Sequence, residues 1–253
     1  MTSSTQRRVT PVIDTSEAAV TVEESHDPAV IHEARRLQAV AYLQRRYITP
    51  DQVIDGVMSP DVDPWVRNSA YFVARDDTHS LVGVVRLILW DPQLTLPALE
   101  HCRIWPEQER YITALGPAVA EVSALAVDRG APRRTALALY QAIWEYGRRH
   151  EQLMWLMLVD PPLRSLLHAM LGPITYPIGA EQWYMGGHLV PAAMRTCDTH
   201  AVISAFAQRR GRAGLGEAFP HNPAWDGLPD LGPVPDHRPP RDPSPLRDDP
   251  ECL

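Results

Sequence analysis

The chain contains no lysine; all 24 of its strong cations are arginine. This excludes a Schiff-base lysine, lysine-anchored pyridoxal phosphate and the lysine of a P-loop. Cysteine is scarce. Cys102, Cys197 and Cys252 are odd in number and far apart, so neither a disulfide framework nor a zinc-ligand spacing is present. A reducing cytoplasm is the expected compartment. No apolar run approaches the ~20 residues of a membrane span. The opening stretch MTSSTQRRVTPVIDTSEAAV has no apolar core of a secretion signal. Positive charge is in deficit, with a net charge of −7, which argues against a general nucleic-acid binder. There is no G-x-S-x-G, Ser-His-Asp spacing or Rossmann glycine fingerprint. His32-Glu33 and His150-Glu151 lack the second histidine of a zincin, and no metal site is expected.

Three compositional zones remain. Residues 1–24 are polar and aperiodic and are expected to be a disordered lead. Residues 25–209 alternate apolar strands with amphipathic helices and form the one domain that 253 residues allow. Residues 210–253, rich in Pro, Gly, Asp and Arg, read as a disordered tail, with Phe219 and Trp225 as its large anchors.

Within the centre, Asp27-Pro28 is a helix start, a capping acid before a proline at the first helical position. Residues 48–66 read as loop with short helical pieces. Residues 70–75 and 81–89 are two strands joined by the turn-forming DDTHS, an antiparallel hairpin. A long loop follows. Residues 118–127 (AVAEVSALAV) form the next strand. Residues 133–149 are an amphipathic helix, its buried stripe read as Ala136, Leu137, Tyr140, Ile143, Trp144 and Gly147. Residues 153–159 (LMWLMLV) are a strand buried on both faces. A short helix over 161–171, strands over 174–178 and 182–190, and a helix over 199–209 complete an α/β domain with a mixed sheet.

Glu121 is the chemically informative residue. It is an acid inside an apolar strand, and burying it without a partner or a task is costly. Partial desolvation raises its pKa toward the range of a useful general base. Alternation places Ser123, Leu125 and Val127 on its face. The structural alternative is an ion pair with Arg86, itself a mid-strand charge. Arg86 alternatively offers a bidentate site for a substrate carboxylate.

The order of elements resembles the GNAT superfamily of acyltransferases, a fold with a splayed central sheet flanked by helices. The closer resemblance is to its N-acyl amino acid synthases and to the acyl-homoserine-lactone synthases. It is carried by RRLQAVAYLQRRYI (residues 35–48), similar to the first helix, and LVGVVRLI (81–88), similar to a G-x-x-R-L strand. EVSALAVD (121–128) is similar to an E-x-S-x-x-x-V strand, and VDPPLRSLLHAMLGPITYPIG (159–179) to an N-P … L-G … I-G segment.

This resemblance implies an N-acyltransferase acting on an acyl thioester, with Glu121 as base and Ser123 beside it. It implies a β-bulge near Leu125 and Val127, where backbone N–H groups meet the thioester. It also implies a donor site after that strand, at Arg129, Arg133, Arg134 and Thr135. The family's glycine-rich R-x-x-G-x-G/A loop is here Arg129-Gly130-Ala131-Pro132-Arg133-Arg134-Thr135-Ala136. It lacks the later glycines, and Pro132 removes an N–H donor. That departure favours acyl carrier protein over acyl-coenzyme A as co-substrate, with no permanent cofactor. The arginines, with Arg148, Arg149 and Arg164, would attract an acidic carrier protein. Leu167 stands where many GNAT enzymes place an acidic tyrosine, and His168 points ~100° away on the helix. The acceptor is expected to be a small amine such as an amino acid. The alternatives are a non-catalytic GNAT-like binding domain and an acetyl-coenzyme A N-acetyltransferase.

Overall fold

A computed structural model describes residues 19–223. The elements in chain order are β1 (Thr21–Ser25), α1 (Pro28–Gln44), β2 (Val53–Ile54), β3 (Val57–Met58), β4 (Ser69–Arg75), β5 (Leu81–Leu89), α2 (Pro97–His101), α3 (Pro106–Leu115) and β6 (Val119–Val127). They continue through α4 (Thr135–Arg149), β7 (Met154–Val159), α5 (Pro161–Leu171), β8 (Tyr176–Pro177), β9 (Gln182–Tyr184), β10 (Gly187–Arg195), α6 (Thr196–Arg209) and α7 (Ala213–Glu217). The central sheet runs β1-β4-β5-β6-β7-β10-β8, with β9 paired to β10. Its pairs are antiparallel except β6 with β7.

Two helical layers enclose the sheet. On one face Tyr140, Ile143 and Trp144 of α4 pack with Leu167 of α5, Ile203 of α6 and Phe219. On the other, Ala34 of α1 covers Tyr71, Val73, Val84 and Ala126, and Ala98 and Ile112 of α2 and α3 cover Ile88, Val119 and Leu156. Among the described residues no helix is long and apolar enough to cross a membrane, and no group of His, Cys, Asp or Glu could hold a metal.

Local chemistry accounts for the elements. Asp27 Oδ1 accepts from the Ala29 N–H at 2.8 Å, and Pro28 opens α1, as the sequence predicts. Asp160 caps α5 the same way, accepting from the Leu163 N–H at 2.6 Å. The 70–75/81–89 hairpin forms with antiparallel register Phe72↔Val85. The expected long loop after β5 instead contains α2 and α3. Each is opened by a proline, Pro97 and Pro106, at a first helical position. Proline suits a loop and the first turn of a helix equally, so these two starts carry no distinct sequence signal.

Four further readings change. The fold begins before residue 25, because β1 pairs along β4 from Thr21↔Arg75 to Ser25↔Tyr71; residues 1–18 lie outside the described residues. The expected tail from residue 210 contains α7, and Phe219 is buried against Trp144. Trp225 lies outside the described residues, as do all residues from 224. The buried stripe of α4 includes Thr135, Ala138 and Leu139, while Ala136 and Leu137 are half-buried. The single late strand over 182–190 is a hairpin, β9–β10, turning at Met185 and Gly186. Both have positive φ, +47° and +71°, the geometry that suits a two-residue hairpin turn.

That turn is gripped by the chain leaving α1. A Cβ on Gly186 would collide with the Arg46 carbonyl oxygen, and Gly187 lies against the Tyr47 ring. The Tyr47 hydroxyl in turn donates to Asp160 Oδ2 at 2.9 Å. Gly186→Ala combines left-handed strain with a backbone clash. It is expected to lower the unfolding free energy by roughly 2–4 kcal/mol, measured by urea denaturation.

Candidate active site

The decisive local feature is a bulge in β6. Between Val84↔Ala126 and Arg86↔Ser123, β5 contributes one residue, Val85, and β6 contributes two, Ala124 and Leu125. Ala124 adopts φ +56°, a left-handed conformation that costs a non-glycine residue about 1–3 kcal/mol. The extra residue reverses the alternation. Glu121, Ser123 and Ala126 face α1 and α2, whereas Leu125 and Val127 pack with Ala120 and Val122 on the α4 face. The expectation that Leu125 and Val127 share the face of Glu121 is therefore corrected. Strict alternation fails at a bulge.

The bulge coincides with a split in the sheet. Parallel pairing of β6 with β7 ends at Val122↔Met157, although β6 continues to Val127 and β7 to Val159. Beyond Val122 the β6 edge is not paired by β7. This is the splay that the resemblance implies.

Glu121 is buried, and its Oε2 accepts from the Ala98 N–H in the first turn of α2 at 2.8 Å. Burial pushes its pKa up to about 8, opposed by the Ala98 hydrogen bond and by the charge of Arg86. Arg86 is not its ion-pair partner. Arg86 Nη1 lies 2.8 Å from Asp63 Oδ1 and donates to Asp63 Oδ2 at 3.0 Å and to the Tyr71 hydroxyl at 3.2 Å. Both members of the Arg86–Asp63 pair are buried, so its charge is internally balanced and Arg86 is committed structurally. Arg86 Nη2 reaches the half-buried Ser123 Oγ at 3.4 Å.

Around these groups the fold gathers residues that the sequence does not single out. Burial raises the pKa of Tyr42, whose hydroxyl lies among Arg86, Asp63, Ser123 and Gln38. Tyr184 of β9 stacks on His101 at 5.1 Å, and Trp65 meets His101 edge-on at 5.7 Å. Burial and the nearby Glu121 charge push the Cys102 thiol up to about 11, so it is no thiolate nucleophile. Within the expected late strand, Tyr184 belongs to this cluster, while Trp183 is exposed. The one sequence signal for these residues is Gln38, a polar side chain on the sheet-facing stripe that runs Ala34, Gln38, Tyr42. Asp63 has no such signal, being one of several acids in a loop.

The predicted donor residues divide. Arg129 and Arg133 are exposed and Arg134 is half-buried. Thr135 is fully buried, with its hydroxyl donating to the Pro132 carbonyl at 2.7 Å and its methyl against Gly83. Thr135 is therefore no donor contact. The loop is also self-satisfied: Asp128 Oδ1 accepts from the Gly130 N–H at 3.0 Å and the Asp128 carbonyl from the Ala131 N–H at 3.1 Å. On α5, Leu167 is buried in the core and His168 Nε2 sits 2.8 Å from Thr175 Oγ1.

Because the folded pKa of Glu121 exceeds its ordinary value of 4.5, the folded state holds a proton that the unfolded chain releases. Its contribution to stability is complete below that ordinary value and is lost as pH rises through about 8. Glu121→Gln keeps an acceptor for the Ala98 N–H and cannot ionise. Urea denaturation from about pH 5 to about pH 9 is expected to show a shallower decline in stability for the variant than for the parent.

The geometry has counterparts in known proteins. A family model described as FeeM, N-acyl amino acid synthase, matches residues 33–197. Among solved structures, FeeM, an N-acyl amino acid synthase from uncultured soil microbes, superposes with a TM-score of 0.58 at 16% identity, covering 76% of this chain and 98% of its own. The AHL synthase LasI superposes with a TM-score of 0.54 at 14% identity, covering 76% of this chain and 96% of its own. BjaI, a CoA-dependent acyl-homoserine lactone synthase with SAM and isopentyl-CoA, gives 0.50 at 17% identity, covering 76% and 92%. No curated protein matches the chain in sequence.

Proposed function

Since the chain belongs to the FeeM family of N-acyl amino acid synthases, we propose that it is an N-acyltransferase joining the acyl group of a carrier-protein thioester to the amine of an amino acid. The observation that carries this reading is Glu121, a buried carboxyl with its pKa near 8, on the same β6 face as Ser123 and beside the bulge and splay. A group that titrates near neutral pH is matched to taking a proton from an amine.

The reaction follows from these parts. The acceptor nitrogen, freed of its proton by Glu121 directly or through one water, attacks the thioester carbonyl carbon. The oxyanion that forms is met by the Ser123 hydroxyl and by backbone N–H groups at the β6 bulge. Collapse breaks the C–S bond, and the proton held by Glu121 passes to the departing sulfur. Leu167 supplies no acid, and a thiolate needs little help to leave.

The donor is acyl carrier protein. The Asp128 carboxylate and the internally bonded amides of Gly130 and Ala131 suit a pyrophosphate poorly. The exposed Arg129 and Arg133 beside them suit an acidic protein. Carrier-protein chemistry places the reaction in the cytoplasm, the reducing compartment that the cysteine content favours.

Thiol release from acyl carrier protein and from coenzyme A thioesters, with amino acids as acceptors, tests this reading. Acceptor-dependent release is expected to rise with pH through about 8 and to fall ~10²- to 10⁴-fold in Glu121→Gln. A folded protein that binds the carrier protein without release would support a binding domain instead. Arg129→Glu/Arg133→Glu is expected to raise KM for the carrier-protein donor and to weaken its dependence on salt, leaving coenzyme A donors unchanged. Equal loss with both donors would reject the carrier-docking role.

A further inference from the structure

Gln38 lies on α1, faces the sheet and is 1% exposed. Neither of its side-chain polar atoms, Oε1 or Nε2, has a hydrogen-bond partner. Such a carboxamide gives up its hydration for no more than the loose approach of the Tyr42 hydroxyl. Leucine, of similar size, would fill the site without that loss. The surroundings identify what restores the balance. One helical turn along, Tyr42 carries a hydroxyl placed among Gln38, Ser123, Arg86 and Asp63. Arg86 and Asp63 neutralise each other. The polar groups facing the space between α1 and the bulged strand are therefore an amide and two hydroxyls, backed by a guanidinium whose Nε is also unpartnered.

An alkyl chain is the wrong occupant, because methylene groups leave the amide as unsatisfied as before. A ligand with a donor and an acceptor side by side is the right one. A carboxamide presents an oxygen acceptor and N–H donors in one plane. An α-amino acid carries an amine and a carboxylate on one carbon. We propose that Gln38 selects the acceptor by holding this head group, Nε2–H donating to the carboxylate and Oε1 accepting from the amine. The Tyr42 and Ser123 hydroxyls supply further donors to the carboxylate. The amine keeps one hydrogen for Gln38 and offers another to Glu121. Gln38 thus orients the nucleophile and distinguishes amino acids from plain amines. The assignment rests on the N-acyl amino acid synthase reading for its chemistry, but its test does not require turnover.

The test compares phenylalanine with phenethylamine and leucine with isopentylamine, pairs that differ only by the carboxylate. In the parent protein the amino acid of each pair is the better acceptor. Gln38→Leu is expected to raise KM for the amino acids ~10- to 100-fold, with the KM for donor little changed. The preference within each pair then collapses. Gln38→Leu also removes an unsatisfied buried group, so its melting temperature equals or exceeds that of the parent, which separates recognition from a packing role. An unchanged preference, or a rise confined to donor KM, overturns the proposal. If no donor supports turnover, direct binding decides. Calorimetric binding of phenylalanine or leucine to the parent but not to Gln38→Leu upholds Gln38 while the transferase reading fails. Absence of binding to the parent overturns both.

Discussion

One extra residue in β6 governs the working half of this protein. Ala124 at φ +56° inserts a step into an otherwise regular antiparallel pair. The step has two consequences. It turns Leu125 and Val127 toward α4 and leaves Glu121, Ser123 and Ala126 on the α1 face. It also stands where β6 and β7 part company after Val122↔Met157. A sheet that stayed regular would bury its backbone donors in a ladder and offer nothing to a thioester. The strain of a left-handed alanine is sustained because β5 pairs with β6 before and after it and helices above and below the sheet fix the chain around it.

The two buried acids on this side of the sheet, Glu121 and Asp63, show how environment assigns roles. Asp63 meets Arg86 at 2.8 Å, and the pair is balanced, anchored further by Tyr71. Glu121 has one backbone N–H and a distant guanidinium, too little to offset desolvation, so its proton is held to about pH 8. The residues thus separate into a fixed pair that ties the β3–β4 loop to β5 and a carboxyl whose charge changes near neutral pH. The same logic reaches Gln38, whose buried polar atoms have no close hydrogen-bond partner.

Much of the framework was legible in the sequence. Asp27-Pro28 announced a helix start because capping and proline geometry are local. The apolar run of β7 and the hairpin of β4 and β5 followed from period and turn chemistry. Glu121 stood out because a lone acid in an apolar strand has few explanations. Three readings failed for identifiable reasons. Pro97 and Pro106 suit both loops and first helical turns, so α2 and α3 were missed. The 182–190 segment concealed a turn at Met185, a residue with no turn preference. The face of Leu125 and Val127 was assigned by an alternation that the bulge interrupts.

The sequence by itself determined the class of fold, the order of its main elements and the placing of one acid in an apolar strand, because periodicity, capping and composition act over a few residues. Its family was legible in the same motifs. Only the tertiary structure decided that Arg86 answers to Asp63 rather than Glu121, that Thr135 is core, that Tyr42 stands between Gln38 and the Arg86–Asp63 pair, and that Tyr184 lies near the acid. Those pairings join residues from α1, the β3–β4 loop, β5, β6 and β9. Long-range charge and burial choose among several chemically equivalent partners, and no local pattern encodes which one lies within reach.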